Sequence, residues 1–302
     1  MRGLAHLGVL QVLEEAQIAV DLIAGTSMGG LVAGLYAAGI PLRELVSFSS
    51  RLGIMDMAAR DRSWRGLFGH EKVATMLADL LGGRNVTFED LHIPAAVVTA
   101  DVETGEMVLL DRGPLIPALI ATSAFPLVFA PVRYQERWLV DGGVVNNFPV
   151  DIVRHMGAER VLGVNVPPSA KLPLKEEQRE NSLSWRSLFS FNNRTRDWRL
   201  PFLIAETSVG ITANLVTQTR LSLYPPDVLI EIALPNVGIF ATDKNAEIVH
   251  AGYQAAMGRL SELVELKTRP VPPPWKRKWQ RTLHRARRAW RTLRQPERPL
   301  YP

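Results

Sequence analysis

Apolar and polar positions follow two rhythms along this 302-residue chain. Short runs rich in Val and Ile, at 18–24 (IAVDLIA), 93–101 (IPAAVVTAD), 159–166 (ERVLGVNV) and 227–234 (DVLIEIAL), have the length and composition of strands. Longer segments with apolar residues every three or four positions lie around them: LAHLGVLQVLEE, the Gly- and Ala-rich run from residue 28 to Gly39, and 70–83, 148–157 and 247–266. Several carry ordinary stop signals, such as Gly39 before Pro41 and Gly157 after 148–156. Alternating strand and helix patterns of this kind predict an α/β protein, a parallel sheet covered by helices. The last long pattern, 247–266, predicts a single closing helix for a body spanning 1–266.

Two stretches depart from the rhythm. Residues 167–200 begin polar and end with aromatics set among arginines, which reads as a mobile insertion after a strand: a lid, a membrane-contact loop or a surface excursion. Residues 267–274 are a stiff proline-rich linker. Beyond them, in 275–302, helical spacing places Trp275, Trp279, Leu283, Ala286, Trp290 and Leu293 on one narrow stripe and every Lys and Arg of 275–294 outside it. A basic helix with such a stripe suits the surface of an anionic membrane or, on the plainer reading, docks its stripe on its own body and leaves a solvated basic face. Nucleic acid suits it less, because the aromatics share one face instead of interleaving with the arginines.

Charge sharpens this division. The formal net charge is +5, yet residues 275–302 alone hold ten Lys or Arg and one Glu, so the body is slightly acidic. The absence of cysteine excludes disulfides, thiolate nucleophiles and Cys-ligated zinc. With no apolar run of spanning length and no signal-peptide pattern at the start, the expectation is a cytoplasmic protein attached to membranes from outside.

Candidate chemistry centres on GTSMGG, residues 25–30, where a strand pattern gives way to a helical one. In a Gly-x-Ser-x-Gly turn (Gly25, Thr26, Ser27, Met28, Gly29) the serine stands exposed beside a helix N-terminus, which favours developing negative charge. Ser27 is a nucleophile on this reading, or a simple helix cap on the plainer one. A nucleophile needs a base. Of the histidines that follow Ser27, His155 and His250 sit in helical patterns and His284 in the basic tail, and neither His70 nor His92 lies in a late glycine-marked loop. Asp141 is better placed, ending an apolar stretch before Gly142 and Gly143; it is either a buried carboxylate able to take the serine proton or an ordinary Asp-Gly turn. His6, on the apolar face of the first helix, reads as a packed side chain.

Taken in order, RGLAHLGVLQVLEE, GTSMGG, DVETGE, ATSAFPLVFAPV and LVDGGVVNNFP resemble the patatin-like phospholipase family over residues 1 to about 165. The resemblance implies a three-layer α/β/α sandwich with a mainly parallel central sheet, Ser27 as nucleophile and Asp141 as its general base in a Ser-Asp dyad. It further implies hydrolysis of phospholipid or lysophospholipid esters through an acyl-enzyme, with no metal or other cofactor in the chemical step. In that family a glycine-rich loop precedes the Arg-Gly pair and supplies oxyanion N–H groups. Here only Arg2 and Gly3 of that motif are present, leaving Met28 at the helix N-terminus as the other expected oxyanion contact. Two expectations follow: either the first Met is internal to a longer reading frame, or the product is impaired, since one lost oxyanion donor costs roughly 10² to 10³ in rate. The alternative function is a non-catalytic lipid-binding or regulatory protein of the same fold.

Overall fold

The computed structural model describes residues 2–51, 59–60, 68–126, 128–167, 199–235, 237 and 244–269. The chain divides after Leu266 into two compact units, and of the second, Lys267–Pro302, only residues 267–269 are described. The expected amphipathic helix with Trp275, Trp279, Leu283, Trp290 and Leu293 therefore lies outside the described residues, as does most of the expected insertion.

In chain order the elements are α1 (Ala5–Glu15), β1 (Ile23–Thr26), α2 (Met28–Ala37), α3 (Leu42–Arg51), β2 (Ala59–Arg60), β3 (Phe68–Gly69) and α4 (Glu71–Leu80). There follow β4 (Ala95–Asp101), β5 (Met107–Leu110), α5 (Leu115–Thr122), β6 (Val132–Tyr134), β7 (Arg137–Asp141), α6 (Val150–Met156) and β8 (Leu162–Asn165). The last are α7 (Arg199–Leu223), β9 (Val228–Glu231), α8 (Asn245–Met257) and α9 (Leu260–Thr268). The α/β sandwich matches the expected class.

β4 is the spine. All seven of its residues are buried, because both faces of the sheet are covered. Ala95 and Val97 point into the main core, which holds Val32 and Leu35 of α2 and Leu115 and Leu119 of α5; Ala96 and Val98 pack on the other face with Ile152 of α6. A strand buried on both sides reads as an unbroken apolar run, which is why AAVV within 93–101 reads as a strand in the sequence.

The sheet is mixed, which refines the expectation of a mainly parallel one. In the five-stranded sheet only β1 pairs parallel with β4, while β5 and β7 both run antiparallel to β4 and β6 antiparallel to β7; β8 and β9 pair parallel in a separate two-stranded sheet. Local chemistry sets the β4–β5 direction. Asp101 Oδ1 accepts the Glu103 and Thr104 N–H groups, closing a tight turn within DVETGE, and so short a link can only return the chain antiparallel.

Two boundaries differ from the pattern. β1 begins at Ile23 instead of residue 18: Ile23 pairs with Ala95, the first residue of β4, while Ile18 and Val20 pack partly buried on the core from a loop. The expected single helix over 247–266 is two, α8 and α9, parted at Gly258, a residue that holds helix poorly.

α1 crosses α8 at a glycine pair that seats the N-terminal segment. A Cβ on Gly8 would overlap the Val249 carbonyl and the Tyr253 N–H, and one on Gly252 would overlap the Ala5 carbonyl. Gly8→Ala should therefore lower the free energy of unfolding by about 2 kcal/mol despite alanine's better helix propensity, because backbone cannot yield as a side chain does. Urea denaturation measures it, and an unchanged midpoint would show that the helices part at little cost.

Candidate active site

The register on β4 brings Ser27 and Asp141 together. β1 and β7 lie end to end along the same edge of β4, the opposite edge being taken by β5: Thr26 pairs with Val98 and Asp141 with the next residue, Thr99. The chain leaving β1 and the last residue of β7 thus meet across one step of β4. Gly142 lies so close over this point that a Cβ would sit 2.5 Å from the Val98 carbonyl carbon.

Ser27 adopts φ 58° and ψ −132°, a backbone that L-residues avoid at a cost of about 1–3 kcal/mol. The strain points its hydroxyl away from α2, whose N-terminus it does not cap, and toward Asp141. Ser27 Oγ donates to Asp141 Oδ2 at 2.5 Å, within the range of charge-assisted O–H···O⁻ bonds. Asp141 Oδ1 accepts the Gly143 N–H at 2.7 Å. The carboxylate is only 2% exposed, and burial pushes its pKa from 3.8 up to about 6, against the pull of the Ser27 and Gly143 hydrogen bonds.

Two segments hold this pair. At the last residue of α5, Thr122 Oγ1 accepts the Ser27 N–H at 3.0 Å while donating to the Val98 carbonyl at 2.5 Å, and in the loop that follows the Ala124 carbonyl accepts the Asp141 N–H at 2.9 Å. The turn after Asp141 is held in turn by Thr26, whose Oγ1 donates to the Asn146 carbonyl at 2.8 Å. Sequence reasoning assigned no role to Thr122, Ala124 or Asn146, although all three lie in the segments ATSAFPLVFAPV and LVDGGVVNNFP that it singled out.

The glycines divide the work differently from the simple elbow. Gly25 is required, since a Cβ there would lie 2.7 Å from the Gly30 nitrogen, and Gly30 faces Thr122 Cγ2 at 2.9 Å; Gly29 meets only the His6 ring, at an ordinary 3.5 Å. Of the expected oxyanion residues, Gly3 abuts the start of α2, where a Cβ would fall 2.7 Å from Met28 Cβ and 3.2 Å from the Gly29 nitrogen. Arg2 is buried, and its Nη1 donates to the Pro167 carbonyl at 3.2 Å. The first N–H groups of α2, at Met28, Gly29 and Gly30, precede the first intrahelical donor, Leu31, and lie beside the Ser27 hydroxyl at the positive end of the helix dipole.

His6 and His70 bond to backbone carbonyls, not to Ser27. His6 Nδ1 donates to the Gly3 carbonyl and His70 Nε2 to the Ala130 carbonyl, each at 2.6 Å. Burial lowers the His6 pKa, keeping the ring neutral, and the His70 ring stacks on Phe129. Among the described residues no group of three or more His, Asp or Glu is arranged to hold a metal ion, and no helix is long and apolar enough to cross a membrane.

From Ser27 a cavity opens between α2, α3 and α4. Leu31, Leu35, Phe48, Met76 and Phe129 give it a predominantly apolar wall, suited to a hydrocarbon chain and offering few partners to a polar one.

A family model described as "Patatin-like phospholipase" matches residues 1–154. Among curated proteins, an uncharacterized NTE family protein of Mycobacterium tuberculosis is 33% identical over 187 residues, which cover 61% of this chain and 51% of that protein. A lysophospholipase of Mycosarcoma maydis is 31% identical over 175 residues, 55% of this chain and 9% of its own length. The chain thus spans about half of the mycobacterial relative and a small part of the fungal one. The crystal structure of VipD from Legionella pneumophila shares the fold at 13% identity, with a TM-score of 0.53 over 86% of this chain and 65% of that one.

The raised pKa of Asp141 makes it a destabilising group when ionised. The folded chain keeps this proton up to about pH 6 while the unfolded chain releases it near 3.8, so stability is lost as pH rises through that window, by about 3 kcal/mol when complete. Asp141→Asn should accordingly raise the thermal midpoint at pH 8, and the gain should shrink as pH falls through 6 toward 4. Calorimetric scans across that range measure it, and a gain of equal size at every pH would refute the buried-carboxylate account.

Proposed function

The chain belongs to the patatin-like phospholipase family, and on that premise we propose that it is a serine acyl hydrolase cleaving phospholipid or lysophospholipid esters through a Ser27–Asp141 dyad. The observation that carries the reading is the 2.5 Å hydrogen bond from a strained serine to a buried carboxylate at the mouth of an apolar cavity.

Ser27 Oγ attacks the ester carbonyl carbon as its proton passes to Asp141 Oδ2, and the carbonyl oxygen becomes an oxyanion. The N–H groups at the start of α2, Met28 first, face that charge, with the backbone at Gly3 beside them. Collapse expels the alcohol, which takes the proton from Asp141, and leaves the acyl group on Ser27. Water, deprotonated by Asp141, then releases the fatty acid. A carboxylate with a pKa near 6 is suited to both transfers: ionised at neutral pH, yet basic enough to accept a proton. The acyl chain occupies the cavity lined by Leu31, Phe48 and Met76. Residues 275–294 are assigned, from their sequence stripe, to contact with anionic lipid at a peripheral membrane site.

A fluorophosphonate should label the chain once, at Ser27, and Ser27→Ala should abolish the added mass; absence of labelling would favour the non-catalytic lipid-binding alternative. Asp141→Asn should lower kcat on a short-chain p-nitrophenyl ester by at least roughly 10³-fold with the fold retained. In the unaltered chain kcat/KM should rise with pH through about 6 and then level off, because the base must be ionised to act. A rate independent of pH between 5 and 8 would exclude Asp141 as that base.

A further inference from the structure

Behind the Ser27–Asp141 pair lies a second polar cluster that the chemistry above does not use. Asn146 is fully buried and Asp151, in the first turn of α6, nearly so. Asn146 Nδ2 donates to Asp151 Oδ1 at 3.1 Å, and its Oδ1 accepts the Phe148 N–H at 3.2 Å. The other oxygen of Asp151 accepts from Arg220 Nη1, on α7, at 2.7 Å, and Arg220 Nη2 reaches the Val145 carbonyl at 3.5 Å.

The cluster holds both sides of the candidate dyad. The Asn146 carbonyl accepts from Thr26, the residue before Ser27, and the Asn146 and Val145 N–H groups turn back to the Gly142 carbonyl, one residue after Asp141. A mostly buried ion pair gains little net stability over apolar side chains of similar volume, since desolvation offsets the attraction. What it does supply is fixed geometry: Asn146 Nδ2 reaches both Asp151 Oδ1 and Met107 Sδ, its Oδ1 accepts from the Phe148 N–H and Asp151 Oδ2 from the Arg220 guanidinium, so neither side chain turns without losing a partner.

We propose that Asp151 is a positioning residue for the Ser27–Asp141 pair: with Arg220 it clamps Asn146, and through Asn146 it fixes the nucleophile's strand against the acid's turn. The inference rests on reading that pair as the catalytic dyad. It makes the placement of α7, which supplies Arg220, a determinant of the Ser27–Asp141 hydrogen bond.

Two near-isosteric variants of the full-length chain test it. Asp151→Asn removes the charge that holds Arg220, and Thr26→Val removes the link to Asn146 with no change of charge. Each should lower kcat roughly 10- to 100-fold, the cost of a misplacement of about an ångström, with KM within about twofold. Each should also raise the titration midpoint of the Asp141 carboxyl, read by carbon-13 NMR, because a weakened bond from Ser27 pulls that pKa down less. The direction is diagnostic: removing the negative charge of Asp151 alone would move the midpoint down. Thr26→Val decides the matter if Asp151→Asn does not fold. A folded variant with a lower thermal midpoint but unchanged kcat and Asp141 titration would overturn the proposal, leaving Asp151 a structural residue. If the unaltered chain shows neither turnover nor labelling, the catalytic reading fails by itself, and the NMR titration still decides whether Asp151 positions the pair.

Discussion

Everything at the candidate site depends on one edge of β4. Two strands far apart in sequence share that edge, β1 from one direction and β7 from the other, and their ends meet where Val98 passes to Thr99. A parallel partner followed by an antiparallel one is what allows this: the chain leaves β1 at the same point at which it leaves β7. Backbone hydrogen bonding therefore sets the distance between Ser27 and Asp141 before either side chain chooses a rotamer. The end of α5 and the loop after it then close the arrangement, with the Thr122 hydroxyl on the Ser27 N–H and the Ala124 carbonyl on the Asp141 N–H.

Such a site is costly to hold. A serine with positive φ, a carboxylate 2% exposed and backbone approaches too close for any side chain each oppose folding. The offset comes from the sandwich around it. β4 is buried on both faces, and the apolar side chains of α2 and α5 that cover one face also rise from the elements that carry Ser27 and Thr122. Strain and burial are thus supported by the core that generates them, and the Ser27–Asp141 hydrogen bond recovers part of the desolvation cost of the carboxylate.

The cavity and the nucleophile share an origin as well. α2 sets its N-terminus beside Ser27 and, one and two turns on, offers Leu31 and Leu35 to the cavity wall. A single short helix therefore links the turn at Ser27 to the apolar cavity. Because Met28 lines the cavity, its apolar wall begins within one residue of Ser27.

The strand–turn–helix around Ser27, the apolar run of β4 and the turn at Asp141 were legible in the sequence because each is a local signal: alternation, length, and glycine beside a chemically able side chain. From residues alone, though, Ser27 remained a nucleophile or a cap and Asp141 a base or a turn; ordered motifs shared with a known family gave them roles. Tertiary structure decided what local signals do not encode. Pairing partners made the sheet mixed and delayed β1 to the point where β4 stands opposite. The partners of Thr122, Asn146, Asp151 and Arg220 were invisible for the same reason. A hydroxyl, an amide or an ion pair acquires a role only when residues 69 to 120 positions away arrive within 3 Å, as Arg220 does for Asp151 and Asn146 for Thr26. Sequence by itself singled out Ser27 and Asp141 as candidates; the distance between them belongs to the register of three strands.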